Sequence, residues 1–253
     1  MCRVTITIDG PAGSGKSTAA RKVAARLGIP YLDTGAMYRV VTLAALERGV
    51  DLGDEAALTE LARTADFALD PGPTHIRVTL DGRDVTEEIR SMRVNDHTRF
   101  IAASPGVRKL LIEKQREIGA RLGSMVTEGR DQGTAAFPDA ELKFFLDAAI
   151  EKRAERRLHE LRADGEEVTA QQVLENLAER DRTDAGRAVA PLRRPPDAIE
   201  IDTTHLSIGE VVDTIIGHIE RAGLLERRAD ARSAGASSAQ AAAGGAGHRD
   251  SKS

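Results

Sequence analysis

The 253-residue sequence has no tryptophan, 3% aromatic residues and one cysteine, Cys2. A core with so few rings must be built from Leu, Val, Ile and Ala, and any binding site in it has few flat surfaces on which a base could stack. One cysteine excludes an internal disulfide framework and fits a reducing compartment. No apolar run approaches the roughly 18 residues that a membrane span needs. The N-terminus enters a strand-like alternation at once, with Val4, Ile6 and Ile8 alternating with Thr5 and Thr7, and no signal peptide is expected. A cytoplasmic protein with no membrane partner is expected. Positive charge is also in deficit: the net charge is −4, which argues against nucleic acid as a partner, because backbone phosphates select basic surfaces.

What basic charge exists is mostly arginine, 29 of 36 residues. Arginine suits planar, bidentate holds on phosphate or carboxylate. GC-rich coding produces the same excess, so placement carries more information than number.

Periodicity divides the chain into alternating strands and helices. Residues 3–9 read as a strand, followed by a glycine-rich turn, a helix over Lys16–Leu27, a short strand from Pro30 to Leu32 ending at Asp33, and a helix from about Gly35 to Arg48. Such alternation with short connections begins a parallel sheet flanked by helices. The pattern changes after a helix at 54–64. Phe67–Leu69 and His75–Leu80 are short strands separated by Pro71, Gly72 and Pro73, and Asp81-Gly82 marks a hairpin before Arg83–Val85. These neighbours predict a small antiparallel sheet, and about residues 62–100 read as an inserted subdomain that contains it. Alternation then returns. Ser104 and Pro105 are N-cap and first residue of a helix to Leu122, with strands at Met125–Thr127 and Leu142–Leu146. Helices near 150–164 and 169–183, a strand at Ala198–Ile201 and a helix opened by the Ser207/Glu210 capping box complete the pattern. From Ser233 to Ser253, 16 of 21 residues are Ala, Gly or Ser. That composition buries too little apolar surface to offset ordering entropy, so 226–253 is expected to be a disordered tail on a folded unit of residues 1–225.

Four charged or glycine-rich clusters carry chemistry. Gly10-Pro11-Ala12-Gly13-Ser14-Gly15-Lys16-Ser17 spells G-x-x-x-x-G-K-[ST] between a predicted strand and a predicted helix, the context that a phosphate-binding loop requires. Its backbone N–H groups and helix N-terminus would cradle the phosphates of ATP. Lys16 would reach the β- and γ-phosphates, and the Ser17 hydroxyl would ligate Mg²⁺. With Thr18, residues 10–18 are the predicted ATP-binding segment. The spacing is not that of a dinucleotide-binding G-x-G-x-x-G turn.

A phosphate loop alone is shared by kinases, GTPases, motors and transporter ATPases. The second cluster, Asp33-Thr34-Gly35-Ala36-Met37-Tyr38-Arg39, follows a strand. Its carboxylate and arginine could orient an acceptor and hold its phosphate, or be an ordinary N-cap and a solvated helix residue. The third, Glu128-Gly129-Arg130-Asp131-Gln132-Gly133-Thr134, offers two charges at a sheet edge or a surface turn with a weak local ion pair. In the fourth, Arg180, Asp184 and Arg187 fall on one helical face. That face is either a solvated helix end or a flap that brings cations to a migrating phosphoryl group.

Taken with the stretches I-D-G-P-A-G-S-G-K-S-T, Y-L-D-T-G-A-M-Y-R, G-R-D-x-G-T-x-x-F-P-D-A-E-L-K-x-F-L and R-A-V-A-P-L, the chain resembles the bacterial cytidylate kinases over about residues 3–222. The resemblance implies a P-loop NMP-kinase fold: an α/β core with a parallel sheet flanked by helices, a small inserted antiparallel NMP-binding subdomain, and a short lid near 150–187. It implies a monomer that phosphorylates CMP and dCMP from ATP. It also implies that Asp33, Thr34, Arg39 and Arg108 contact the acceptor. Arg130 and Asp131 would serve its phosphate and its sugar or base, Asp184 its sugar, and Arg180 and Arg187 the phosphates. Lys16, Arg130, Asp131, Arg180 and Arg187 would be the catalytic set. The chain departs from the family pattern at Arg99, where a serine is usual, at Gln132, where an apolar residue is usual, and at Gly186, where asparagine is common. Rival readings are a kinase for UMP, AMP or a small hydroxy acid, and a nucleotide-binding regulatory module with little turnover.

Overall fold

The computed structural model describes residues 3–163 and 165–224. In chain order these form β1 (Thr5–Asp9), α1 (Lys16–Leu27), β2 (Tyr31–Asp33), α2 (Thr34–Glu47), α3 (Glu55–Thr64), β3 (Phe67–Pro71), β4 (Ile76–Leu80) and β5 (Arg83–Asp84). There follow α4 (Met92–Ala103), α5 (Pro105–Leu122), β6 (Met125–Gly129), β7 (Leu142–Asp147), α6 (Ile150–Ala163), α7 (Ala170–Gly186), β8 (Ile199–Asp202) and α8 (Ile208–Arg221).

Five of the strands make one parallel sheet in the order β2-β6-β1-β7-β8. Ile6, Ile8, Val126, Phe144 and Leu146 are fully buried in it, the near-continuous apolar pattern of strands covered on both faces. α1 and α8 pack on it through Ala20, Val23, Ile215 and Ile219. A separate cluster gathers α2, α3, α4 and α5 with the antiparallel sheet β3-β4-β5 around Met37, Val41, Leu58, Val78, Ile101 and Leu111. A third, small cluster of Ala12, Ala154, Val173 and Leu177 ties α6 and α7 to the loop after β1.

The end of β1 is the consequential place. Asp9 lies level with Gly129 of β6 on one side and Phe145 of β7 on the other. Chain order reverses across β1, so the loops leaving its neighbours part in opposite directions and open a crevice at the strand ends.

The structure bears out the α/β alternation and the small antiparallel sheet, and it differs in two places. Met92–Ala103, to which the sequence reading gave no element, is the helix α4. Val94 and Ile101, seven residues apart, are its buried side, a helical rather than a strand period. Pro71, read as turn punctuation, instead ends β3 opposite Ile76, an edge position at which a missing N–H donor does no harm. The tail at 226–253 and Cys2 lie outside the described residues, among which no helix is long and apolar enough to cross a membrane.

At Gly10 the chain leaves β1 so close to β7 that a Cβ would stand 2.1 Å from the Leu146 carbonyl oxygen. That oxygen is backbone and cannot swing aside. Gly10→Ala is expected to lower the unfolding free energy by about 1–3 kcal/mol; an unchanged urea midpoint would show that the two strands separate without cost.

Candidate active site

The loop between β1 and α1 is braced from outside. Arg153 of α6 donates to the carbonyls of Ala12 (3.1 Å) and Ala148 (2.9 Å) and pairs with Asp181 of α7 at 2.7 Å. Thr203, just after β8, donates to the Ser14 carbonyl at 3.1 Å. Gly15 adopts the left-handed conformation, φ 85°, which a side chain would strain. Lys16 is buried and donates to the Pro11 carbonyl at 3.2 Å. Ser17 stands near Glu128, at the end of β6, and favours its charged form. Burial pushes Lys16 down and Glu128 up, and the attraction between them opposes both shifts. Arg130 and Arg180 stand within electrostatic reach of Lys16 and lower it further.

Next to the loop, Asp33 caps α2 by accepting from Ala36 N–H at 3.1 Å. It also faces two guanidinium groups, Arg39 at 4.0 Å and Arg90 at 3.3 Å. Asp33 is therefore an N-cap whose carboxylate also faces two arginines. Thr34 donates to the Glu128 carbonyl at 2.7 Å, and Arg39 donates to Asn95 of α4 at 3.2 Å. Arg99 follows Asn95 by one helical turn, on the same face, with its guanidinium over the Phe100 ring at 4.8 Å.

The turn after β6 is held from below by Asp9. Its two carboxylate oxygens accept from the backbone N–H groups of Gln132 (2.9 Å) and Gly133 (2.7 Å). Burial pushes the Asp9 carboxyl up to about 7, against these bonds and aided by the negative charges of Asp131 and Glu128. Residues 132–136 then widen into a single π-type turn, a local irregularity frequent at functional sites. Arg130 and Asp131, adjacent in sequence, turn to different partners. Asp131 is buried and accepts from Arg108 at 2.6 Å; burial raises its carboxyl despite Arg108 and Arg187. Arg130 donates through Nε to Asp184 of α7 at 2.7 Å, and Arg187 binds the other oxygen of the same carboxylate. Burial pushes Asp184 up, but Arg130, Arg187 and Arg180 outweigh it and hold the group below the usual carboxylate range.

Lys16, Arg130, Arg180, Asp184 and Arg187 thus converge beside the phosphate loop, with Asp33, Thr34 and Arg39 on its β2 side. Arg108 is held by a different set of partners. It is buried, and its guanidinium donates to Asp131 and to the carbonyls of Ala102, Val189 and Ala190. Ala190 has φ 50°, a conformation uncommon outside glycine. Among the buried donors without a partner in the described residues are Ser14 Oγ in the loop and Arg187 Nε at the end of α7. Both suit phosphate oxygens, so the side chains present fit a phosphorylated ligand.

Sequence reasoning missed Asp9, Arg90 and Arg153 as parts of the site. Arg153 and Asp181 carried no local signal, since one lies in an arginine-rich helix and the other among charges. Glu128 was visible as the first residue of its cluster, and a carboxylate on the strand beside the phosphate loop was the signal that could have found it.

A parallel sheet with a phosphate loop at its reversal point and cations converging on that loop defines the phosphate-loop α/β class. Residues 6–221 match the family model described as Cytidylate kinase, and the chain belongs to that family. It is 46% identical over 219 residues to a cytidylate kinase of Bacillus velezensis, covering 87% of this chain and 97% of that protein. It is 47% identical over 218 residues to one of Caldanaerobacter subterraneus subsp. tengcongensis, covering 86% and 95%. It is also 49% identical over 233 residues, 91% of its length, to a bifunctional pantoate ligase/cytidylate kinase of Synechococcus sp. strain JA-2-3B'a(2-13), and there the chain spans 42% of the relative's length.

The raised Asp9 carboxyl has a thermodynamic consequence. Between about pH 4 and about 7 the unfolded chain has lost the Asp9 proton and the folded chain retains it. The native state binds more protons in that window, so the Asp9 contribution to stability falls as pH rises through it and levels above. Urea unfolding of wild type and Asp9→Asn at pH 5 and pH 8 is expected to show wild type losing ground to the variant at the higher pH. A pH-independent difference would refute the assignment.

Proposed function

We propose that this chain transfers the γ-phosphoryl group of ATP to CMP or dCMP, giving ADP and the corresponding diphosphate. One observation carries the reading beyond family membership: Arg130 from the sheet edge and Arg187 from the end of α7 meet on one buried carboxylate beside Lys16. Cations from two separate elements suit a phosphoryl group passing between two phosphates, where charge neutralisation and alignment supply most of the catalysis.

In the step, an oxygen of the acceptor's phosphate attacks the γ-phosphorus, and the bond to the β-phosphate bridging oxygen breaks as ADP leaves. The acceptor phosphate is largely dianionic at neutral pH, its second pKa being about 6, so no side chain need remove a proton. Lys16 and the loop N–H groups hold the donor phosphates; Arg130, Arg180 and Arg187 face the migrating group. Ser17 would ligate Mg²⁺ together with phosphate oxygens, and the cation would neutralise charge there. Among the described residues no group of three His, Cys, Asp or Glu could hold a metal, which suits a cation shared with the nucleotide.

Asp33, Thr34 and Arg39 would orient the acceptor, with residues 62–100 as the acceptor-holding insertion; Arg90 and Asn95 from that segment already reach Asp33 and Arg39. Residues 150–187 would act as the lid, its two helices joined to the loop through Arg153 and Asp181. Asp131 would meet the sugar or base, and Arg108 would join it where the Val189 and Ala190 carbonyls give way. The reading includes a monomer in the cytoplasm, supported by the single cysteine and the family resemblance.

ADP release with ATP and a panel of CMP, dCMP, UMP and AMP tests the acceptor. Release is expected with the cytidine nucleotides above the others; equal or greater rates with UMP or AMP would overturn the choice of base. Lys16→Ala is expected to abolish transfer while the thermal transition persists. Arg187→Ala is expected to lower kcat by about 10²–10³, and a change confined to KM would reduce that residue to a binding role.

A further inference from the structure

Gln132 occupies a position where the family resemblance leads one to expect an apolar side chain, and here it is fully buried. Its amide is used at both ends. Oε1 accepts from the Thr127 hydroxyl at 3.0 Å. Nε2 donates to Gln115 Oε1 at 3.1 Å and to Asp131 Oδ1 at 3.3 Å. Two amide hydrogens thus meet two acceptors, and the orientation of the group follows from its partners.

Asp131 is consequently held from two directions, by Arg108 on Oδ2 and by Gln132 on Oδ1. The arrangement is costly. Gln115 is also fully buried, and its own Nε2 has no partner among the described residues. Two apolar side chains of similar volume would fill this space without a buried unpaired donor. Bulk packing therefore does not account for the amide pair, whereas the hold on Asp131 does. The space is also reserved: a Cβ on Gly129 would come within 2.9 Å of Gln132 Nε2.

We infer that Gln132, backed by Gln115, is a positioning residue for Asp131, setting the direction in which that carboxylate is presented to the acceptor nucleotide. The inference rests on the proposed acceptor reading. It touches neither the phosphate loop nor the arginines on Asp184, so its effect falls on the acceptor and spares the donor.

The experiment compares wild type, Gln132→Met and Gln115→Met/Gln132→Met by steady-state kinetics with CMP and ATP varied separately, and by thermal unfolding. Gln132→Met is expected to raise the CMP KM about tenfold, the effect of losing one hydrogen bond to a charged group, with the ATP KM unchanged. The double variant removes the orphaned amide and is expected to recover thermal stability while the CMP KM stays high. Recovery of both together would show that the pair matters only to packing, and would overturn the proposal. An unchanged CMP KM in Gln132→Met would do the same. Failure of the wild type to release ADP with CMP would overturn the acceptor reading itself, and this inference with it.

Discussion

Two arginines from different parts of the chain stand on one buried carboxylate, and the working end of the molecule depends on that contact. The side chains of Arg130, Arg187 and Asp184 are 14%, 9% and 2% exposed, too little for solvent to screen their charges fully. Two guanidinium groups a few ångströms apart would repel by about 4 kcal/mol at the effective dielectric of a protein site. Asp184 between them returns that energy with one oxygen for each. A surface ion pair contributes little, but removing the acid from a buried set leaves two uncompensated charges, which costs about 3–5 kcal/mol. The same contact ties α7 to the sheet edge, so the position of a helix far along the chain is set by charge as well as by the small apolar cluster under it.

Behind the arginines lies a second line of polar contacts that is almost wholly buried. Asp9 holds the backbone of Gln132 and Gly133, Gln132 holds Asp131, and Asp131 holds Arg108. Buried polar groups are expensive unless partnered, and in such a chain each member is the partner of the next. The result is a turn whose backbone and side chains are both determined, in a stretch with neither α-helical nor strand regularity. The Asp9 and Asp131 carboxyls are raised by burial. They stand close to one another and to Glu128, so one more negative group nearby would be resisted.

The phosphate loop is rigid for a different reason. Its glycines permit the turn, but Arg153, Thr203 and the Leu146 carbonyl decide how far it can move. Because Arg153 also pairs with Asp181, its guanidinium joins the loop to α7 beside the apolar contacts of Ala12, Val173 and Leu177. Closing of the 150–187 segment, as the proposed reading has it, would act on that link.

The elements readable in advance were those with local causes. The phosphate loop follows from its glycine spacing, the helix starts at Ser104 and Ser207 from their caps, and the small sheet from its Asp81-Gly82 turn. Helix α4 was hidden because Met92–Ala103 has only two buried apolar residues, a weak signal beside the strands before it. Asp33, Arg130, Asp184 and Arg187 could be named as charged residues in suggestive places, but their pairing could not. Arg108 shows the limit most clearly: in sequence it is a basic residue near the start of an amphipathic helix, and in the fold it is buried with four hydrogen bonds.

By itself, then, the sequence determined the class of fold, the phosphate-loop motif and the family, because these rest on backbone conformation and on motifs whose residues are neighbours in the chain. Only the tertiary structure decided which charge faces which, since Arg130–Asp184, Arg108–Asp131 and Arg153–Asp181 join residues separated by 54, 23 and 28 positions. Pairing at that range is chosen by the sheet order and the helices packed on it, and no local pattern in the chain encodes it.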